Sequence, residues 1–142
     1  MTAPAEPAVS ACAVSADARG EVLHCNPFDM AEVRRFYCVK NSPGAPVRGW
    51  IAHLRETKWF FPLRGETTIH FAPCPDPEAA PPDESRARSI SLSASSPAVL
   101  RLPPGNALAI EQRGGAEVMV FSDVPAGASG GDTWRFPFGG TR

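Results

Sequence analysis

Proline and glycine interrupt this chain so often that it has no room for a long helix. The 142 residues include 16 Pro and 12 Gly. Between residues 33 and 124 they break the chain into short apolar runs, most of them bounded by turn signals. VRRFYCVK (33–40), VRGWIAHL (47–54), 57–63, TTIHF (67–71), SISLS (89–93), AVLRL (98–102), 103–112 and AEVMVFSDV (116–124) each suit a short strand. NSPGAP (41–46), Arg64-Gly65-Glu66, the Pro-rich stretch 72–88 and the glycines at 114–115 suit the turns and loops between them. Seven to nine short strands with closely spaced turns predict an all-β barrel or sandwich. NPFDM (26–30) predicts a single helical turn.

A chain of this length predicts one domain, and 43% hydrophobic residues can supply its core. Residues 1–20 are rich in Ala and Pro and lack periodicity, so they are expected to form a flexible, loosely attached arm ahead of a domain over 21–142. A net charge of −1 gives no basis for binding nucleic acid or an anionic membrane. No run reaches the length of a membrane span, and the start lacks the pattern of a secretory signal. Cys12, Cys25, Cys38 and Cys74 form no CxxC pair and no zinc-like spacing, so free thiols in a reduced, cytoplasmic protein are expected.

The stretch RGWIAHLRETKWFFPLRG (48–65) mixes core residues with chemistry, and Lys58, one of two lysines, abuts its most apolar run. Ile51-Ala52-His53 is spaced like a His-x-His pair, Lys58 stands where a Glu would follow, and six residues then lead to Gly65. Pro103-Pro104-Gly105-Asn106-Ala107-Leu108 matches a Pro-x-Gly-x-x-His string with Leu in place of His. These spacings resemble the two halves of the cupin signature over about residues 33–124. The resemblance implies a cupin double-stranded β-helix, a small jelly roll. Its metal-ligand positions hold one imidazole, one ammonium and two aliphatic side chains, so no metal is expected.

The closer resemblance is to the metal-free sugar-nucleotide cupins, the dTDP-4-keto-6-deoxyhexose 3,5-epimerases and 3,4-ketoisomerases, including the branch labelled WxcM-like. It rests on Arg35-Phe36-Tyr37, Val47-Arg48-Gly49-Trp50 and Leu102-Pro103-Pro104-Gly105. It implies proton transfer next to a 4-keto group of a dTDP-linked deoxysugar, no cofactor, and a homodimer. The ketoisomerase string resembles Arg-Gly-x-His-Ala-His. The first His, the base in that family, is Ile51 in this chain, and the second is His53.

A carbon acid needs a base within hydrogen-bond reach, and isoleucine has no lone pair. Either another residue supplies the base or the chain lacks the reaction. His53 shares a strand face with Ile51, a desolvated Lys58 is a second candidate base, and Tyr37 is a candidate acid. Arg48 is the candidate diphosphate anchor, or else a partner of Glu56 or Glu66. Arg35 and Arg64 are weaker candidates for the same anchoring role. Trp50 is a candidate stacking platform or a core ring, and His70 is placed at the rim. Strand alternation puts Lys58 and Phe60 on one face, with Trp59 and Phe61 on the other. Two functions follow: an epimerase or isomerase using His53 and Lys58, or an inert cupin that binds a sugar or anionic ligand as a sensor or accessory subunit.

Overall fold

A computed structural model describes residues 6–128 and 130–139. Its strands, in chain order, are β1 (Ala8–Ala11), β2 (Ala13–Asp17), β3 (Gly20–His24), β4 (Arg35–Val39), β5 (Val47–His53), β6 (Lys58–Arg64), β7 (Glu66–Pro73), β8 (Arg88–Ser93), β9 (Ala98–Leu102), β10 (Asn106–Gln112), β11 (Glu117–Ser122) and β12 (Trp134–Arg135). Two antiparallel sheets of five strands face each other, ordered β1-β9-β6-β11-β4 and β12-β5-β10-β7-β8. The β2–β3 hairpin stands apart as a two-stranded ribbon. Among the described residues, helix is confined to three-residue 3-10 turns, and no helix is long and apolar enough to cross a membrane.

The core follows from strand alternation. Phe60, Leu100, Leu102, Val118, Val120 and Val39 of the first sheet meet Ile69, Phe71, Leu92, Leu108 and Ile110 of the second. Lys58 and Phe60 do face inward, while Trp59 packs outside with Phe28, 5.8 Å between ring centroids. The turn after β6 depends on Gly65, whose φ of +66° suits glycine.

A second, smaller apolar layer lies on the outer face of the second sheet. Trp50, Ala52, Ala72, Cys74, Ala107 and Ala109 are buried there beneath Trp134, Phe136 and Phe138. The alanines let the C-terminal segment lie close to the sheet. Gly49 belongs to the same fit, since a Cβ added there would collide with Ala109. Gly49→Ala is therefore expected to destabilise the protein by about 1–3 kcal/mol, read as a lower urea midpoint with unchanged slope.

The N-terminal region departs from the expected loose arm. β1 adds a fifth strand to the first sheet, from Ala8 opposite Arg101 to Ala11 opposite Ala98. Its alanine-rich sequence hid it, because the strand is held by backbone bonds along the otherwise open edge of β9. The expected boundary at 20/21 falls at the start of β3, and the first five and last three residues lie outside those described. Cys12 and Cys25 form a disulfide, which corrects the expectation of four free thiols; Cys38 and Cys74 are free. Residues 26–27 form a turn closed by Phe28 N donating to Cys25 O, and 28–30 are irregular, so the expected helical turn is not formed. The 72–88 stretch is largely irregular, but β7 runs on to Pro73 and a 3-10 turn covers Glu84–Arg86.

Candidate active site

The core fills only part of the space between the sheets. The rest is a cavity of about 590 Å³, walled by β4, β5, β10, the 54–57 turn and the C-terminal segment. Val39, Ile51, Leu108 and Ile110 give it an apolar floor. Among the described residues, Arg35, Lys40, Arg48, Lys58 and Arg135 bring five cationic groups to it, against the single carboxylate of Glu56. Both lysines of the chain are among them. This positive cavity sits in a chain whose net charge is −1.

A bulge puts Arg48 in that wall. Regular alternation would place Arg48 and Ile51 on opposite faces of β5. The pairing with β10 shifts between Leu108 and Ile110, so Ile51 sits opposite Leu108 and Arg48 opposite Ile110, and both reach the cavity. Arg48 Nε donates to Asn41 Oδ1 at 3.2 Å.

His53, Glu56 and Lys58 converge because the chain turns between β5 and β6. His53 is 5% exposed, Glu56 2% and Lys58 6%. The Nδ1 of His53 lies 2.7 Å from the backbone carbonyl of Asp132. A carbonyl can only accept, so Nδ1 carries the hydrogen and Nε2 carries the lone pair. Nε2 has no hydrogen-bond partner among the described residues. Glu56 Oε2 accepts from Ser122 Oγ at 2.6 Å and Arg35 Nη2 at 3.1 Å, and lies 3.9 Å from Lys58 Nζ. Glu56 Oε1, 3.6 Å from His53 Nδ1, is buried without a hydrogen-bond partner among the described residues. Tyr37 offers its ring face to Arg35 at 5.1 Å and Lys58 at 5.8 Å. Burial, then the nearby Lys58 ammonium, holds the His53 imidazole below the usual histidine range, so it is neutral at neutral pH.

No family model matches this sequence, and no curated protein is significantly similar to it. Solved structures are. A dTDP sugar isomerase from Desulfovibrio desulfuricans G20 superposes with a TM-score of 0.74 at 21% identity, over 94% of this chain and 85% of that one. A sugar 3,4-ketoisomerase from Thermoanaerobacterium thermosaccharolyticum, in complex with TDP, gives 0.69 at 19%, over 92% and 88%. A 3'-monoepimerase from Streptomyces bikiniensis, in complex with dTDP-quinovose, gives 0.66 at 15%, over 86% and 66%. The chain has the cupin fold. At these identities the likeness establishes architecture, and chemistry has to be argued from the cavity.

Within this cupin barrel the sequence-derived candidates separate. His53, Lys58, Tyr37 and Arg48 line the cavity. Trp50 does not. It is buried in the outer apolar layer, where Nε1 donates to Glu84 Oε1 at 2.9 Å, so a stacking role on a ligand in the cavity is corrected. Arg64 is exposed at the end of β6 beside the Gly65 turn, outside the cavity lining. His70, expected at the rim as a candidate substrate-binding residue, lies on the outer face of β7, 2.9 Å from Glu111 and against the Phe138 ring, outside the cavity lining. Arg35, read as a weaker anchor, pairs with buried Glu56.

Sequence reasoning missed Glu56 as a site group and missed Asp132 and Arg135 altogether. Glu56 follows His53 by three residues, but only the intervening turn brings the two side chains together.

His53, Glu56 and Asp132 bring possible metal-ligand atoms within 4.8 Å of one another. Their commitments do not suit a divalent ion. The Asp132 carboxylate accepts backbone N–H bonds from Leu54, Arg55 and Glu56. Glu56 already faces the charges of Arg35 and Lys58, which would repel a metal.

Proposed function

We propose that this cupin binds a nucleotide-linked ketosugar and moves a proton at the carbon next to its keto group, as an epimerase or ketoisomerase would. The observation that carries the reading is the unpartnered Nε2 of a neutral, buried His53 inside a strongly cationic cavity. The guanidinium of Arg48, with Lys40 and Arg135, suits the diphosphate. His53 Nε2 takes the proton from the carbon, and the bond pair passes to the keto oxygen as an enolate. Lys58, 3.9 Å from Glu56 and over the Tyr37 ring, faces the developing negative charge. Tyr37 is the candidate acid. In epimerisation Tyr37 gives a proton to the opposite face of that carbon as the C=O re-forms; in ketoisomerisation the hydroxyl on that carbon passes its proton to the enolate oxygen as its own C=O forms, and His53 returns its proton to the former keto carbon. The solved relatives that carry TDP or a dTDP-sugar support this class of ligand.

Ile51 supports a second reading. It lines the cavity with hydrocarbon where the resemblance implies a base, as an inert cupin that only binds its ligand would. Product analysis after incubation with dTDP-4-keto-6-deoxyglucose separates the two readings. Both require anion binding. Arg48→Ala is therefore expected to weaken TDP binding roughly 10–100-fold, the loss of about 1.5–3 kcal/mol from a charge-assisted contact, measured by titration calorimetry at fixed salt. Unchanged affinity would remove Arg48 from the ligand.

A homodimer belongs to the proposal. Phe36, 66% exposed on edge strand β4, is consistent with association there. A cytoplasmic setting fits the ligand class, but the Cys12–Cys25 disulfide argues against it, since such bonds are rare there.

A further inference from the structure

The C-terminal segment crosses the second sheet and contributes to both of its faces. On the outer face, Trp134, Phe136 and Phe138 cover Trp50 and the alanine layer. Phe136 and Trp50 exchange both backbone bonds, at 2.7 and 3.0 Å. Glu84 Oε1 ties the segment down from a neighbouring loop, accepting from Trp50 Nε1 at 2.9 Å and Gly139 N at 3.0 Å. On the inner face, Arg135 and Thr133 reach the cavity, and Asp132 lies against His53.

Asp132 is a buried carboxylate used entirely within the fold. Oδ1 accepts from Leu54 N at 2.8 Å, and Oδ2 from Arg55 N and Glu56 N at 2.9 Å each. These bonds hold the turn that carries Glu56 toward His53. The backbone carbonyl of the same residue takes the His53 Nδ1 hydrogen. One residue therefore fixes both the backbone beside the imidazole and the tautomer of the ring.

We infer that Asp132 is a positioning residue and that the segment 130–139 is a strap that makes His53 a base, holding its Nε2 lone pair toward the cavity from an anchor on the opposite face of the sheet. Without the strap only Glu56 Oε1, 3.6 Å from Nδ1, is left to favour hydrogen there, while Lys58 acts on the charge of the ring. The inference deepens the proposed function, since the atom it prepares is the base assigned there. It is read on the imidazole itself and needs no turnover.

The test is nitrogen-15 correlation spectroscopy of the full-length, histidine-labelled protein near neutral pH. With three histidines in the chain, the spectrum is readily assigned. His53 is expected to carry hydrogen at Nδ1 only. Asp132→Ala keeps the backbone carbonyl but loses the three carboxylate bonds that hold it beside the ring, so that preference is expected to fall roughly several-fold, with Asp132→Asn in between. Glu84→Ala, altered only at the exposed outer anchor, is expected to speed solvent exchange of the His53 Nδ1 hydrogen roughly several-fold, through loss of the two hydrogen bonds that tie the segment down. It also serves if Asp132→Ala does not fold. Hydrogen on Nε2 in the unaltered protein, a folded Asp132→Ala with the tautomer unchanged, or exchange unaffected by Glu84→Ala would each overturn the inference. An inert protein with the expected tautomer would refute the proposed function and leave this inference standing.

Discussion

Replacing His53 by alanine is expected to cut proton exchange at the carbon beside a bound ketosugar's carbonyl by about 10²–10⁴-fold, while TDP still binds. The effect is large because His53 is the one imidazole lining the cavity among the described residues, and its Nε2 lone pair is not taken by a hydrogen bond. Lys58 is held by Glu56, and Ile51 has none to offer. The pH dependence follows from the same environment. Burial and the Lys58 charge lower the proton affinity of folded His53, so the acid limb of kcat/KM falls below the ordinary histidine range. Stability changes with the same sign. As pH falls through the ordinary histidine range, the unfolded chain binds this proton before the folded one does, so folding weakens until the lower folded value is reached. His53→Ala should remove that part of the slope, measured as the urea midpoint against pH.

Glu56→Ala is expected to cost about 3–5 kcal/mol, because it leaves Lys58 and Arg35 facing each other without their shared carboxylate. For a chain of this size the melting temperature should drop on the order of 10 °C. Glu56→Gln should fall between, since the amide oxygen still accepts from Ser122 and Arg35 but carries no charge. Neither change removes a cationic group from the cavity, so TDP binding should survive in the folded fraction while exchange is lost. Calorimetric melting with and without TDP reads both effects. A Glu56→Ala protein that melts like the unaltered one would mean that the buried network carries little of the fold.

What the sequence made legible is local. The strand expected at 98–102 is β9, and that at 89–93 is β8 but for one residue. The inward direction of Lys58 and His53 followed from the cupin spacing, and alternation put Lys58 on one face with Phe60. What it concealed depends on long-range contacts. Asp132 reaches residues 76 to 79 positions away in the chain, and no spacing rule links a Gly-rich tail to the turn after β5. Trp50 and Arg48 would share a face in a regular strand; the bulge against β10 separates them, sending Arg48 to the cavity and Trp50 outside. β1 was hidden because alanine has little strand preference and its pairing depends on an edge made ninety residues later.

The central claim is that His53 Nε2 removes a proton from carbon. Solvent deuterium incorporation tests it most directly: dTDP-4-keto-6-deoxyglucose is incubated with the protein in heavy water and read by proton NMR. The account predicts loss of the C3 proton signal, dependent on His53. An intact C3 proton, in a protein that TDP nonetheless stabilises against heat, would contradict it and leave a binding cupin.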